Sequence, residues 1–513
     1  MWPRFHLNDV RIVGHYLGSL VLIVGLSMLL PLLVALFMHE GSPAVDFLMG
    51  IGVCLIVGSL LRMLTPRAGK LNRRQALLVT GLSWIVIGLV ASVPMLSSGA
   101  FDSPLDALFD GVSALTTTGM SLSHDYNHMA YSHMLWRVML TFIGGSGVIV
   151  VALSLGVFGR SGGQGALYKT EARSDHVLPN MMLTARFIWG VSATVIVLGV
   201  LVFFLPFLIM GMDGGRALWN SLILSISSYD TGGIPIYTNS LVYYHSPVIE
   251  FICLVIALMG VVNPVLYAAL FRGEKEPFFK NSELRTMAGW FTVMAILLCL
   301  VIIGDGAFTH YMELLRRGAF MVVSAGTTTG WMTVYTGQLG ISISAGAMML
   351  IALIMLIGGP SGSTAGGIKV GRLSIILKWF AATIRRAVRP KSNLDRVGYH
   401  QFTKAAIDPS TATQAMVVML LFVITVVAGA MIAVVCGYDA DAGLFESISC
   451  VTSAGISSGI VSPGMPVALK VFYILAMWAG RLEFIALLSV FASVVTSIYG
   501  HAKTRIEKLG DGL

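Results

Sequence analysis

Five stretches of this chain are long and almost free of charge, and they constrain its fold more than any other feature. Tyr16 to Met38, Val138 to Phe158, Val191 to Met210 and Val417 to Cys436 hold no charged side chain. Ile249 to Phe271 holds only Glu250. Each reaches the ~20 apolar residues that a helix needs to cross a bilayer. Only 11% of the 513 residues are charged, against about 25% in soluble proteins. The chain reads as a polytopic membrane protein. Its first apolar run is too long for an ordinary signal peptide, and no small-residue cleavage site follows it.

Charge placement gives an orientation. The formal net charge is +8, and the basic residues cluster between apolar segments. Arg62, Arg67, Lys70, Arg73 and Arg74 share one loop. Lys369, Arg372, Lys378, Arg385, Arg386, Arg389, Lys391, Arg396 and Lys404 form a second band, and Lys503, Arg505 and Lys508 a third. The positive-inside rule places these in the cytoplasm together with both termini, and removes any need for nucleic acid as a partner. Asp102, Asp106, Asp110, Asp125, Asp305, Asp439 and Asp441 then lie on the outer side. They read either as solvated loop acids or as a lure for cations. The five cysteines, Cys54, Cys253, Cys299, Cys436 and Cys450, are scattered, which argues against a disulfide framework or a metal cluster.

Internal repetition organises the rest. Two N-terminal transmembrane helices (1–70) precede a unit that recurs four times, at 76–160, 182–273, 284–380 and 412–498. Each unit reads as a spanning helix, a short re-entrant helix, a small-polar loop and a second spanning helix, giving about ten spanning helices in an all-α protein. The loops are DALFDGVSALTTTGMS, RALWNSLILSISSYDTGGI, RRGAFMVVSAGTTTGWMT and AGLFESISCVTSAGISS. Their four-residue motifs are Thr116-Thr117-Thr118-Gly119, Tyr229-Asp230-Thr231-Gly232, Thr327-Thr328-Thr329-Gly330 and Thr452-Ser453-Ala454-Gly455. The alternative, four surface hairpins with ordinary turns, fails because the preceding helices are too apolar for solvated loops. Irregular backbone at membrane depth must be buried in protein or line a watery cavity.

Such loops suit a hard cation. An ion leaving water needs oxygens in place of its hydration shell, and rings of backbone carbonyls supply them. Glycine lets carbonyls turn where other residues resist. A short helix that ends before the loop aims its negative end at the ion. Four such loops make a closed ring from one chain.

The chain resembles the membrane subunit of the Trk/Ktr/HKT superfamily of K+ transporters, and its TrkH branch most. The resemblance covers about 10–500. It rests on the four loops and on MGVVNPVLY (259–267), GGPSGSTAGGIKVGR (358–372) and AGRLEF (479–484). It implies K+ uptake through a pseudo-fourfold pore in the inner membrane, with the sixteen motif residues above as the selectivity filter and K+ as the transported ion. Glycine at all four filter positions implies K+ preference, since serine in the first loop goes with Na+ transport. A Na+-permeable or Na+/H+-coupled symporter on the same fold is the alternative. The resemblance also implies a homodimer in membrane lipid and a cytosolic TrkA-like subunit that binds NAD or ATP, with 369–404 and 272–285 as docking surfaces. Two departures stand out. Asp230 occupies a place usually uncharged, and it either raises cation affinity or turns away to pair with a cation such as Arg216. The fourth loop resembles the Ktr version.

The glycine-rich run 358–367 is too flexible for a helix interior, each glycine costing about 1 kcal/mol against alanine. The resemblance makes it an intramembrane gate, with Gly358, Gly359, Gly362, Ser363, Gly366, Gly367 and Lys369 as its residues. A phosphate loop is excluded, because Lys369 follows Ile368 and precedes Val370. An intramembrane serine hydrolase, which the GPSG stretch at 359–362 also suggests, is disfavoured: it needs a base at the same depth, and the histidines all fall near segment ends or loops. The chain is therefore read as no enzyme. Arg481 lies inside the last spanning helix, where a charge is expensive unless it meets a cavity or a partner. It reads either as half of a buried ion pair or, as the resemblance implies, as a pore residue below the filter. Glu483 is two residues away, on another helix face, and is a poor direct partner.

Overall fold

The computed structural model describes residues 7–63, 71–147, 150, 181–305, 311–334, 344–388, 398–400 and 404–492. The basic residues expected at 67–70, 389–396 and 503–508, and the C-terminal ends of the expected first and fourth units, lie outside them.

The described chain is helical, and its elements follow the sequence units. The N-terminal pair is α1 (Leu7–Ser27) with its continuation α2 (Leu29–Phe37), followed by α3 (Gly41–Met63). Unit one holds α4 (Arg73–Ala91), the short α5 (Val93–Leu96), the pore helix α6 (Pro104–Leu115) and α7 (Tyr131–Ser146). Unit two holds α8 (Met181–Ile209), the pore helix α9 (Gly214–Tyr229), α10 (Pro247–Val261) and α11 (Pro264–Phe271). A short α12 (Glu276–Phe279) leads to unit three: α13 (Ser282–Asp305), the pore helix α14 (Tyr311–Gly326), α15 (Ala345–Leu356) and α16 (Val370–Val388). Unit four holds α17 (Pro409–Val435), the pore helix α18 (Ala440–Thr452), α19 (Val467–Arg481) and α20 (Ile485–Ala492). Among the described residues six helices are long and apolar enough to cross a membrane, or eight if each bent pair counts as one span. Large apolar side chains stand exposed along them. Leu198, Leu201, Leu205 and Ile209 form such a stripe on α8. Their spacing of three to four residues puts them on one helix face, which suits lipid contact.

Each unit's second helix packs on the next unit's pore helix. Helix α7 meets α9, α10 meets α14, α15 meets α18, and α19 returns to α6. That last contact closes the circle. The N-terminal helices stay outside it: α1 packs on α3 and α4, and α2 on α7.

The second helices are broken near one level, and local sequence explains why. Helix α7 ends at Gly147, whose φ of 88° lies in the left-handed region. Helices α10 and α11 meet at 88°, where Pro264 cannot donate a helical hydrogen bond. Helices α19 and α20 meet at 110° across Glu483 and Phe484, both at positive φ. In unit three the break spans the whole glycine-rich run. There β1 (Ile357–Gly358) pairs in parallel with β2 (Ile368–Lys369), joining the two stumps. A second strand pair, β3 (Gly398–His400) with β4 (Lys404–Ala406), is antiparallel. Among the described residues these two ladders are the only β-structure in an otherwise helical chain.

Three ion pairs brace the ring, the first two buried on both sides and the third with an exposed arginine. Arg137 on α7 donates to both oxygens of Asp110 on α6, at 2.9 and 3.0 Å. Lys470 on α19 reaches Asp106 on α6 at 2.5 Å, and Arg316 on α14 reaches Glu250 on α10 at 3.2 Å. The last two pairs cross unit boundaries.

Candidate ion-binding site

All four pore helices stop in the same way. At the end of α6, Thr117 N–H donates to the Ala114 carbonyl and Thr118 N–H to the Ser113 carbonyl. The same two bonds recur at Thr231 and Gly232, at Thr328 and Thr329, and at Ser453 and Ala454. This is a Schellman ending, which needs one residue in the left-handed conformation. That residue is Thr117, Thr231, Thr328 or Ser453, with φ between 51° and 59°. Glycine usually takes this place, and a side chain there costs roughly 1–2 kcal/mol. Each side chain is buried. Thr328 Oγ1 accepts a hydrogen bond from Gly366 N–H at 2.7 Å, and Thr231 Oγ1 meets Thr364 Oγ1 at 3.2 Å.

The repeated geometry fixes the register of the loops. In loops one, three and four the quartets are the expected ones: Thr116 to Gly119, Thr327 to Gly330, and Thr452 to Gly455. In loop two the quartet is Asp230-Thr231-Gly232-Gly233, one residue later than expected. Tyr229 is the last helical residue of α9, and its hydroxyl bonds Ser192 at 2.9 Å. Gly232 takes the third place, and Gly233 the fourth. A signal for this register is present in the chain. Ser113, Ser227, Ser324 and Ser449 each stand three residues before the quartet, and each offers its carbonyl to the third-place N–H.

The fourth-place glycines close a ring. Gly119, Gly233, Gly330 and Gly455 have φ of 78°, 53°, 83° and 80°. A Cβ on Gly119 would lie 2.1 Å from the Gly232 carbonyl oxygen, and one on Gly233 would lie 1.9 Å from that of Thr329. A Cβ on Gly330 would lie 2.3 Å from the Ala454 carbonyl oxygen, and one on Gly455 would lie 2.0 Å from that of Thr118. Each loop thus seats its glycine on the third-place carbonyl of the next, in the order one, two, three, four, one. The first-place and third-place hydroxyls are used behind the loops. Thr116 and Thr118 bond each other at 2.9 Å, Thr327 and Thr329 at 2.7 Å, and Thr452 Oγ1 donates to the Ile448 carbonyl.

A cavity of about 450 Å³ opens on one side of this ring, lined by the same four glycines together with Ser121, Tyr126, Ser240 and Ser457. Between the lining residues His124 and Tyr126, Asp125 pairs with His128, and that hydrogen bond holds the Asp125 carboxyl below its ordinary value. The side chain of Glu446 anchors the descending strand of loop four. It accepts hydrogen bonds from Ser457 Oγ, Ser458 N–H and Ser458 Oγ, each at 2.7 Å.

The broken stretch of unit three packs on the other side of the ring. A Cβ on Gly366 would lie 2.1 Å from the Thr452 carbonyl oxygen, so the loop touches loop four, besides loop three through Thr328 and loop two through Thr364. Gly362 and Gly367 take φ of 74° and 70°. Gly358 instead needs room: a Cβ there would lie 1.8 Å from the Gly366 oxygen, and one on Gly359 would lie 2.8 Å from a Val261 methyl. Ser363 Oγ donates to Pro360, and Lys369 Nζ to the Ala365 carbonyl. Residues missed in the sequence hold the loop from outside. Glu283 accepts from Ser361 N–H and Oγ at 3.1 and 3.0 Å, and Asn263 Nδ2 donates to the Ser361 carbonyl at 2.9 Å.

Arg481 completes this layer. Its guanidinium donates to the Thr364 carbonyl at 2.7 Å and to the Gly144 carbonyl at 2.9 Å, so it ties the loop to unit one. It borders a cavity of about 60 Å³ with Trp84, Gly145, Ser363 and Lys369. Glu483 is bonded to Arg372 instead. Arg216 leans on Tyr237 and Tyr243, which rules it out as the expected partner of Asp230. Asp230 is fully buried, and neither of its carboxylate oxygens has a hydrogen-bond partner among the described residues.

Comparison with known proteins agrees with this architecture. The chain is 29% identical to an uncharacterized cation transporter of Methanocaldococcus jannaschii, over 96% of this chain and 97% of that one. It is 27% identical to the Trk system potassium uptake protein TrkH of Escherichia coli K12, over 94% of this chain and 98% of that one. The crystal structure of the potassium transporter TrkH from Vibrio parahaemolyticus superposes with a TM-score of 0.79. It covers 93% of this chain and 97% of its own, at 24% identity, and so attests the fold. A family model described as TrkH, cation transport protein, matches residues 44–497. The chain, a multi-pass membrane protein, therefore belongs to the TrkH family of cation transport proteins.

Proposed function

We propose that this chain conducts K+ into the cell through one pore, with the ring of four quartets as its selectivity filter. The observation that carries the reading is the cyclic seating of four left-handed glycines on four carbonyl oxygens. Carbonyl rings of this kind replace the hydration shell of a K+ ion. The filter residues are the four quartets in the register above, with Gly233 added and Tyr229 set aside. The name of the Escherichia coli relative supports potassium as the ion.

In this reading the loop 358–367 is the gate and Arg481 the charge beneath the filter. A guanidinium about 5 Å from a K+ ion, at an effective dielectric of ~20, raises its energy by roughly 3 kcal/mol. Arg481→Ala is expected to raise Rb+ uptake into proteoliposomes by at least tenfold. Unchanged uptake in correctly inserted protein would remove Arg481 from the path. Flux that follows the K+ gradient alone fits a channel, and dependence on a Na+ or proton gradient would favour the symporter. A second copy of the chain and a cytosolic TrkA-like, NAD- or ATP-binding subunit complete the assembly, the latter docking on the basic segment that begins at Lys369. Both follow from the family resemblance.

Latching of the gate gives a further expectation. Thr328→Val keeps the shape of the left-handed residue but removes the acceptor of the Gly366 N–H bond. A buried donor left unpaired costs about 1–3 kcal/mol. Open probability in planar bilayers should rise by roughly fivefold or more, while K+ over Na+ preference is retained.

A further inference from the structure

Ser361, in the broken stretch of unit three, is gripped from two directions. Its N–H and its hydroxyl both donate to the Glu283 carboxylate, at 3.1 and 3.0 Å, and its carbonyl accepts from Asn263 Nδ2 at 2.9 Å. Both gripping residues are buried. They stand at the two ends of one excursion, residues 264–281, which holds α11 and α12. At its start Asn263 Oδ1 accepts from Val265 N–H at 2.9 Å, so one amide both caps α11 and holds the loop. At its end Asn281 Oδ1 accepts from Glu283 N–H at 2.9 Å and from Leu284 N–H at 3.1 Å, which fixes the first turn of α13. Helix α11 turns 88° away from α10, and Tyr267 Oη closes that corner by donating to the Met259 carbonyl at 2.7 Å. Helix α11 packs on α12, and α12 on α13, so the two ends are joined through packed elements. Phe271, Arg272, Phe279 and Lys280 are exposed along the excursion and open it to a force from outside the chain.

We infer that the excursion 264–281 is the control arm of the gate, and that Asn263 and Glu283 are the positioning residues through which it acts on Ser361. The inference rests on the gate reading above. With both grips closed, the loop is kept beneath the filter. A displacement of the arm turns the Asn263 amide and the first turn of α13 together, and so withdraws the partners of the Ser361 N–H, hydroxyl and carbonyl at once. Polar groups left unpaired in a buried place are costly, whereas water satisfies them once the loop moves aside. The Asn263-Pro264 pair in the run 259–267 thereby acquires a role: the proline bends the helix, and the asparagine passes the angle of the bend to the loop.

The test is open probability in planar bilayers, with Tm in detergent as the control for folding. The full-length proteins are wild type, Thr328→Val, Asn263→Ser, Glu283→Ala, Glu283→Gln, Tyr267→Phe and Tyr267→Phe combined with Asn263→Ser. Serine still caps α11 but is too short to reach Ser361. Asn263→Ser and Glu283→Ala are each expected to raise open probability about tenfold, the order that one buried hydrogen bond exerts on a two-state equilibrium. Glu283→Gln keeps an acceptor for the Ser361 N–H and can donate to its hydroxyl, so it should stay within about twofold of wild type. Tyr267→Phe removes a bond made at the corner and not to the loop, and should raise open probability about threefold. In the Asn263→Ser background, where the corner no longer reaches the loop, the same change should have almost no effect. If Thr328→Val, Asn263→Ser and Glu283→Ala all match wild type, the loop is no gate and the control arm falls with it. If Thr328→Val raises open probability and the other two do not, the grips on Ser361 are overturned and the gate stands. If Tyr267→Phe matches wild type, or raises open probability equally in both backgrounds, the excursion does not act through Asn263 and the control arm is overturned.

Discussion

Gly233→Ala is expected to abolish selective conduction, and to do so more completely than Gly232→Ala. Gly233 has a φ of 53°, and a Cβ there would press to 1.9 Å from the Thr329 carbonyl oxygen. The obstacle is backbone of the next loop, so relief requires the ring itself to open. Gly232 has no such conformational demand, and its Cβ would meet the side chain of Thr141, with a methyl at 2.7 Å. A side chain can rotate away; a carbonyl of the ring cannot. Distortions of this kind cost about 1–3 kcal/mol in packed interiors, before any effect on the ion. K+ uptake by Gly233→Ala should fall at least a hundredfold, against less than tenfold for Gly232→Ala, with expression and monodispersity as controls. The reverse order would restore the register in which loop two ends at Gly232.

The second large effect concerns stability. Arg137 is 1% exposed and Asp110 fully buried, and their bond is bidentate. Asp110→Ala leaves the guanidinium buried without its partner, a loss of about 3–5 kcal/mol. The apparent Tm in detergent should drop well below that of the wild type. Replacing both partners by apolar residues, Asp110→Leu with Arg137→Met, should recover most of it, because a well-packed apolar pair is often neutral or better. Equal Tm for Asp110→Ala and wild type would mean that water reaches Arg137.

Much of this architecture is legible in the chain because membrane depth imposes a strict rule on backbone. An apolar run must be a helix, and a Thr- and Gly-rich interruption must be sheltered. The four units are visible since each pore helix ends in the same motif, with Phe109, Phe320 and Phe445 at matching places. From sequence alone loop two reads one residue early, because it offers two adjacent glycines and its helix carries Ile223 at the matching place. The serine carbonyl that ties each Schellman ending, from Ser113, Ser227, Ser324 or Ser449, resolves the ambiguity. Other parts depend on contacts across more than seventy residues, which no local pattern encodes. Glu283 on Ser361 is one such contact, and Arg372 on Glu483 is another. The fate of Asp230 was open for the same reason. Its side chain lies against Gly145 of α7, more than eighty residues back in the chain.

The central claim is that the four quartets select K+ by their backbone. Its most direct test is the K+ to Na+ permeability ratio of the reconstituted protein, wild type against Gly119→Ser. Serine at this φ of 78° would force its Cβ to within 2.1 Å of the Gly232 carbonyl oxygen. The wild type is expected to prefer K+ strongly, and the ratio of the variant to fall at least tenfold as Na+ enters. A variant that keeps the full K+ preference would contradict it.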